Sequence, residues 1–199
     1  MKIQSNFWFA LMASVILSAC STSVERLDAK EQVDLSGAWN DTDSQLVARE
    51  MIEDSLSRAW ITKFVQSEGK DPAVIVGRIK NLSHEHINTN TFIANMEREL
   101  INSGQVQFVA SSANRQEIRD ERADQDLNAT EKTRKEMGQE YGADYMMQGQ
   151  INTIIDVDGS TQVRFYQVNL ELISIKDNRK VWIGEKKIKK LIKNSKLRQ

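Results

Sequence analysis

Thr161-Gln162-Val163-Arg164-Phe165-Tyr166-Gln167-Val168-Asn169-Leu170-Glu171-Leu172-Ile173-Ser174-Ile175-Lys176 is the stretch on which the fold turns. Tyr166, Val168, Leu170 and Leu172 alternate with Gln167, Asn169 and Glu171. Successive side chains of an extended chain point to opposite faces, so the apolar set shares one side and the polar set the other. One side should pack on helices, and the other should meet water or a partner. Runs of similar β-rich character flank it at 144–156 and 179–192. Asp158-Gly159 and Asp177-Asn178 divide the three runs and suit hairpin turns. The last third of the chain therefore reads as an antiparallel meander.

Upstream the period becomes helical. Asp41-Thr42-Asp43-Ser44 supplies N-cap chemistry, and Leu46, Val47, Met51, Ile52, Leu56 and Trp60 then recur as one apolar stripe. Gly69, Lys70, Asp71 and Pro72 break the chain. Ala73-Val74-Ile75-Val76 opens a buried strand that continues to about Lys80. Residues 88–91 can cap a second helix with Phe92, Ile93, Met96, Leu100 and Ile101 inward, and Gly104 ends it. A strand is expected at 106–110 and helices near 113–124 and 130–141, with Gly142 suited to the last C-terminal cap. The sum is an α/β fold of the α+β sandwich type, with helices packed on a mixed sheet that ends in the meander.

Composition narrows the function. The chain has 199 residues, with 27 Lys+Arg against 28 Asp+Glu, so no bulk affinity for polyanions or nucleic acid is expected. Hydrophobic residues at 40% and charged residues at 28% give a globular balance. One cysteine, Cys20, excludes an internal disulfide and any thiolate zinc site.

The position of Cys20 gives it a role. Lys2 lies in a short polar start, and the eleven residues 7–17 (FWFALMASVIL) are apolar but for Ser14. That stretch is too short for a bilayer, which needs about 20 residues, and fits the core of a secretory signal. Leu17-Ser18-Ala19-Cys20 resembles the lipobox of bacterial lipoproteins, where cleavage precedes an acylated cysteine. Residues 1–19 are then a lipoprotein signal peptide. Residues 20–35 are the lipidated Cys20 and a short tether, and 36–199 form one globular domain. Two or more acyl chains hold a protein stably on a membrane. Ser21 after the cysteine, by resemblance to lipoprotein sorting rules, implies the outer membrane. Fifteen tether residues reach about 50 Å when taut and roughly 20 Å on average.

Chemistry is sparse elsewhere. His84-Glu85-His86 places two imidazoles at i and i+2, the one metal-like pattern, but it sits in a polar stretch read as a loop. No Gly-x-Ser-x-Gly elbow, Walker-type loop or Gly-x-Gly-x-x-Gly is present. Asp41/Asp43 and Asp156/Asp158 fit helix starts and turns. No catalytic residue, metal, cofactor or small-molecule substrate is expected, and the chain reads as a non-enzyme. Lys186, Lys187, Lys189, Lys190, Lys193, Lys196 and Arg198 put seven positive charges in the last fourteen residues. They read first as protection of a basic edge strand, and second as a contact for an acidic partner or envelope surface. Trp39 and Trp60 read as core residues rather than exposed anchors.

Four segments resemble a known family. They are Leu35-Ser36-Gly37-Ala38-Trp39-Asn40-Asp41-Thr42-Asp43-Ser44, Asn81 to Thr91 (NLSHEHINTNT), Ser103-Gly104-Gln105-Val106-Gln107-Phe108-Val109, and Gly142-Ala143-Asp144-Tyr145-Met146-Met147-Gln148-Gly149. Together they resemble the LpoB family, outer-membrane lipoprotein activators of penicillin-binding proteins, from the lipobox to about Lys190. The last segment is also similar to the N-terminal domain of TolB and to curli-secretion lipoproteins. The resemblance implies a TolB-N-like fold on the periplasmic face of the outer membrane. It also implies docking on a class A penicillin-binding protein, whose glycan polymerisation and cross-linking it stimulates in cell-wall synthesis. Partner-binding residues are not assigned by motif. The chain departs from the family's long Pro-rich tether, its own being short and without Pro. The second reading is a structural or assembly lipoprotein of the same fold, serving a secretion or flagellar envelope apparatus.

Overall fold

The computed structural model describes residues 24–28, 31, 33–132 and 140–193. The signal segment 1–19, Cys20, Lys196, Arg198 and most of the helix expected at 130–141 lie outside them. Met1–Gln32 and Val33–Gln199 are separate compact units, and every element described here belongs to the second.

Helix α1 (Asp41–Leu56) starts from a capping box at Asn40, one residue ahead of the expected capping stretch. The Asn40 side chain accepts from the Asp43 N–H, and the Asp43 carboxylate accepts from the Asn40 N–H, both at 3.0 Å. Val47, Ala48, Met51, Ile52 and Leu56 are buried beneath it. The expected stripe does not continue unbroken to Trp60. The chain leaves the helix at Ser57-Arg58, and Trp60 belongs to a second helix, α2 (Ala59–Glu68). Its indole N–H donates to the Ser55 carbonyl at 2.7 Å, so the aromatic bridges the break. Neither Gly nor Pro marks that break, which is why periodicity passes over it.

Strand β1 (Ala73–Leu82) is followed by α2's successor, α3 (Thr89–Ser103), capped by Asn88 at its start and by Gly104 in the left-handed region at its end. Strand β2 (Gln107–Phe108) is shorter than the run expected at 106–110. It pairs only with Ala73 and Val74, and the chain then turns to Ser111, the cap of α4 (Ser112–Asn128). Val106 and Val109 flank β2, both buried, and the Val109 N–H still donates to the Val74 carbonyl at 2.9 Å. Helix α4 outruns the expected 113–124 and buries none of its residues.

Strands β3 (Tyr145–Asp158), β4 (Thr161–Ser174) and β5 (Lys180–Lys193) each run 14 residues. The sheet order is β2-β1-β3-β4-β5, with β2 and β3 parallel to β1 and the last two pairings antiparallel. The mixed sheet and C-terminal meander match the expected α/β architecture. Gly159 and Asn178 both adopt positive φ, as tight turns at the two expected sites require. On β4, Tyr166, Val168, Leu170 and Leu172 are fully buried against the helices, while Gln167, Asn169 and Glu171 occupy the open face.

Close approach fixes one more position. A Cβ on Gly184 would lie 2.2 Å from the Trp182 ring, so the indole covers the glycine two residues on. The Trp182 indole N–H reaches Asp54 of α1 at 2.8 Å, which locks β5 to the helical layer.

Candidate functional site

Two features of the folded unit stand apart from ordinary packing: a latched entry segment and a cleft at the far end of the sheet. Residues 33–40 enter along the helix-covered side of β4 and β5. Lys190 donates to Asp34 and Asp43, both at 2.6 Å, and to the Ala38 carbonyl at 3.2 Å. Burial alone would lower the Lys190 pKa, but the hydrogen bonds it donates to the two carboxylates outweigh it and leave it raised. Asp34 is held below the usual carboxylate range by its hydrogen bond to Lys190.

A second clamp holds the same segment. Glu85 accepts from the Trp39 N–H at 3.0 Å, from Arg164 at 2.8 Å and from the Tyr166 hydroxyl at 2.7 Å. The Tyr166 hydroxyl also lies 3.2 Å from the Gly37 carbonyl. Burial, reinforced by Glu85, drives the Tyr166 pKa far upward and keeps it a neutral donor. The Trp39 ring packs edge-on to Tyr166 and Phe92, at 5.6 and 6.1 Å, and its indole N–H donates to Ser44. Trp39 is half-buried against the core and Trp60 is buried but for an edge, in line with the core reading of both.

At the other end, α2 and the β4–β5 turn enclose a cleft of about 710 Å³. Trp60 and Phe64 from α2 meet Tyr145 from β3 edge-on, with ring centres 5.0 and 5.6 Å apart. Lys63 and Arg58 stand on one wall, Lys176 and Arg179 on the other. Two of the three lining acids are committed to the protein: Asp144 accepts from the Ala73 N–H at 2.8 Å, and Asp177 binds Arg179 at 2.7 Å, while Glu68 stands exposed on the α2 wall. Arg58 is paired with Asp54. Lys63 and Lys176 have no ionic partner among the described residues, so the cleft offers aromatic surface edged by these two cations and by Glu68. Such a lining suits an amphipathic segment of a partner protein.

His84 and His86 are exposed in the loop after β1, and His84 Nδ1 lies 3.0 Å from Thr153 Oγ1. Among the described residues, no three His, Cys, Asp or Glu side chains converge to hold a metal ion. The described part of the basic run, Lys186 to Lys193, lies on β5, which is an edge strand. Lys186 pairs with Glu50 and Lys187 with Glu185, so with Lys190 most of the described run is spent on intramolecular ion pairs. No described helix is long and apolar enough to cross a membrane. Sequence reasoning missed the latch: Glu85 was visible only as the centre of a histidine pattern, and its partners lie 46, 79 and 81 residues away.

Comparison with known proteins turns this α/β module into a family member. Residues 43–188, from the first turn of α1 into β5, match the family described as peptidoglycan-synthase activator LpoB. The chain belongs to the LpoB family, whose members are regulatory activators rather than catalysts. No curated protein matches it. Among solved structures, the LpoB C-terminal domain from Escherichia coli shares 13% identity, covering 73% of this chain and 98% of that one, with a TM-score of 0.42. The LpoB C-terminal domain from Salmonella enterica shares 15%, covering 64% and 91%, with a TM-score of 0.35. Lipoprotein GNA1162 from Neisseria meningitidis shares 16%, covering 63% and 88%, with a TM-score of 0.39.

Proposed function

We propose that this protein is an outer-membrane lipoprotein, acylated at Cys20 and facing the periplasm, that binds and activates a class A penicillin-binding protein. The observation that carries the reading is the family match across 43–188, which takes in the helical layer and almost the whole sheet. The lipobox at 17–20 supports the anchor. A non-catalytic activator works by spending binding energy on a conformational equilibrium, so it must hold the synthase's active state more tightly than the resting one. The cleft between α2 and the β4–β5 turn is the surface best suited to receive a segment of the synthase, having aromatic area and two lysines without ionic partners among the described residues.

The deciding experiment adds the chain from Cys20 onward to a purified class A synthase. Faster glycan polymerisation and cross-linking are expected; an unchanged rate rejects activation. Lys63→Glu with Lys176→Glu should weaken capture of the synthase about tenfold, or ~1.4 kcal/mol. The anchor is tested separately by palmitate labelling and by Cys20→Ala. That variant is expected in the soluble fraction after a salt wash, and its retention on membranes rejects acylation there.

A further inference from the structure

We propose that the open face of the sheet binds an acidic glycan, an uncross-linked peptidoglycan strand, in a groove across β1, β3 and β4. The groove encloses about 270 Å³ and shares no lining residue with the cleft. The β1–β3 register slips between Val76 and Ile79, which sets Gly77 and Arg78 opposite Gln148 alone. Without that extra residue Arg78 would fall on the helix-covered face with Val76. With it, Ile79 is buried and Arg78 joins Lys80 at the groove, the re-aiming that a bulge performs. Both cations are exposed, and neither has an ionic partner among the described residues. The acids at the groove are neutralised locally. Glu171 pairs with Lys180 at 2.5 Å and accepts from Gln148 at 2.8 Å, and Glu185 pairs with Lys187 at 2.6 Å. Arg78 and Lys80 are therefore the uncompensated charges, and a carboxylate is their complement.

Amides select the rest of the ligand. Gln150 on β3 stands opposite Asn169 on β4, and Asn152 opposite Gln167 one step along. A primary amide donates and accepts at once, as a sugar hydroxyl does, so this ladder matches a hydroxyl-rich chain. Side chains on alternate residues of a strand stand about 7 Å apart, so Gln148, Gln150 and Asn152 offer repeated contacts to an extended polymer. Ile183, 65% exposed, adds an aliphatic edge for the C–H face of a ring. Among the described residues no aromatic ring or methionine lines the groove. The cores of protein interfaces are enriched in both, which disfavours an acidic peptide as the occupant. Among acidic glycans, the choice of peptidoglycan rests on the synthase-activator reading, since such a strand is the synthase's own product and bears carboxylates on its stem peptides.

The test titrates soluble, uncross-linked peptidoglycan strands into the chain from residue 20, carrying Cys20→Ser so that no acyl chain is present. Calorimetry should show binding at least about tenfold tighter than to chitohexaose, a neutral glycan, and weakening as salt is added. Arg78→Gln with Lys80→Gln should abolish that preference and its salt dependence. Gln150→Ala with Asn169→Ala should weaken binding about tenfold while leaving the salt dependence in place. All four side chains lie on the open face, so unchanged melting curves show that the variants fold. Failure of the parent chain to bind the strands, or binding by both double variants equal to its own, overturns the proposal. So does equally tight binding of poly-glutamate, which would make the groove an acidic-peptide site, or of hyaluronate, an acidic glycan without peptides. A chain that binds the strands yet leaves a class A synthase unstimulated supports the groove and rejects activation, so the two readings fail separately.

Discussion

Lys190 shows how a single charge can be structural within a run that reads as surface. Its side chain is 11% exposed and Asp43's is 9%, so removing the ammonium strands a largely desolvated carboxylate. Lys190→Met should cost about 2 kcal/mol, a typical value for a hydrogen bond to a charged group, read as a lower thermal midpoint. Gly37 is the matching position on the entry segment. Its φ is +65°, and a Cβ there would come within 2.5 Å of Ile192. Gly37→Ala should cost roughly 1–2 kcal/mol for the left-handed backbone alone, and should raise hydrogen exchange in residues 33–40. Arg164 adds a local cost of its own, since its Nε is buried with no hydrogen-bond partner among the described residues.

At the scale of elements, α1 and β5 depend on each other. Gly184→Ala would push the Trp182 ring off its seat and break the indole bond to Asp54. The expected cost is about 1–3 kcal/mol, as for overpacking a filled core, with a change in tryptophan fluorescence to mark it. The meander was legible in the sequence because alternation, turn residues and length all agree there. Burial on β4 follows the alternation from Phe165 to Ser174. The break between α1 and α2 was not legible, because Ser57-Arg58 carries no turn signal and Trp60 keeps the helical period across it. β2 was over-read because Val106 and Val109 are buried on either side of a two-residue pairing, so the apolar run is longer than the ladder. The cleft and the latch were invisible for another reason. They join segments far apart in sequence, and nothing local marks Glu85, Tyr145 or Lys190 as members.

The whole molecule should show these charges in its response to pH. Lys190 has a raised pKa in the folded state, so its contribution is complete below about pH 10.5, the ordinary lysine value, and fades as pH climbs through the folded value. Asp34 has a lowered one, so its contribution is complete above pH 3.8 and fades as pH falls through the folded value. Thermal unfolding across pH should therefore show a broad plateau with both arms weakened, and Lys190→Met should flatten the alkaline arm. An alkaline arm identical in that variant would remove Lys190 from the account.

The latch also has a mechanical meaning. A pull on the polypeptide ahead of Val33 does not reach a loose end. It meets Lys190 on β5 through Asp34, then Tyr166 on β4 and Glu85 through Gly37 and Trp39. Load is thus shared between two neighbouring strands that are hydrogen-bonded along thirteen paired positions. Tension would be resisted by many bonds at once instead of peeling the sheet open from one edge.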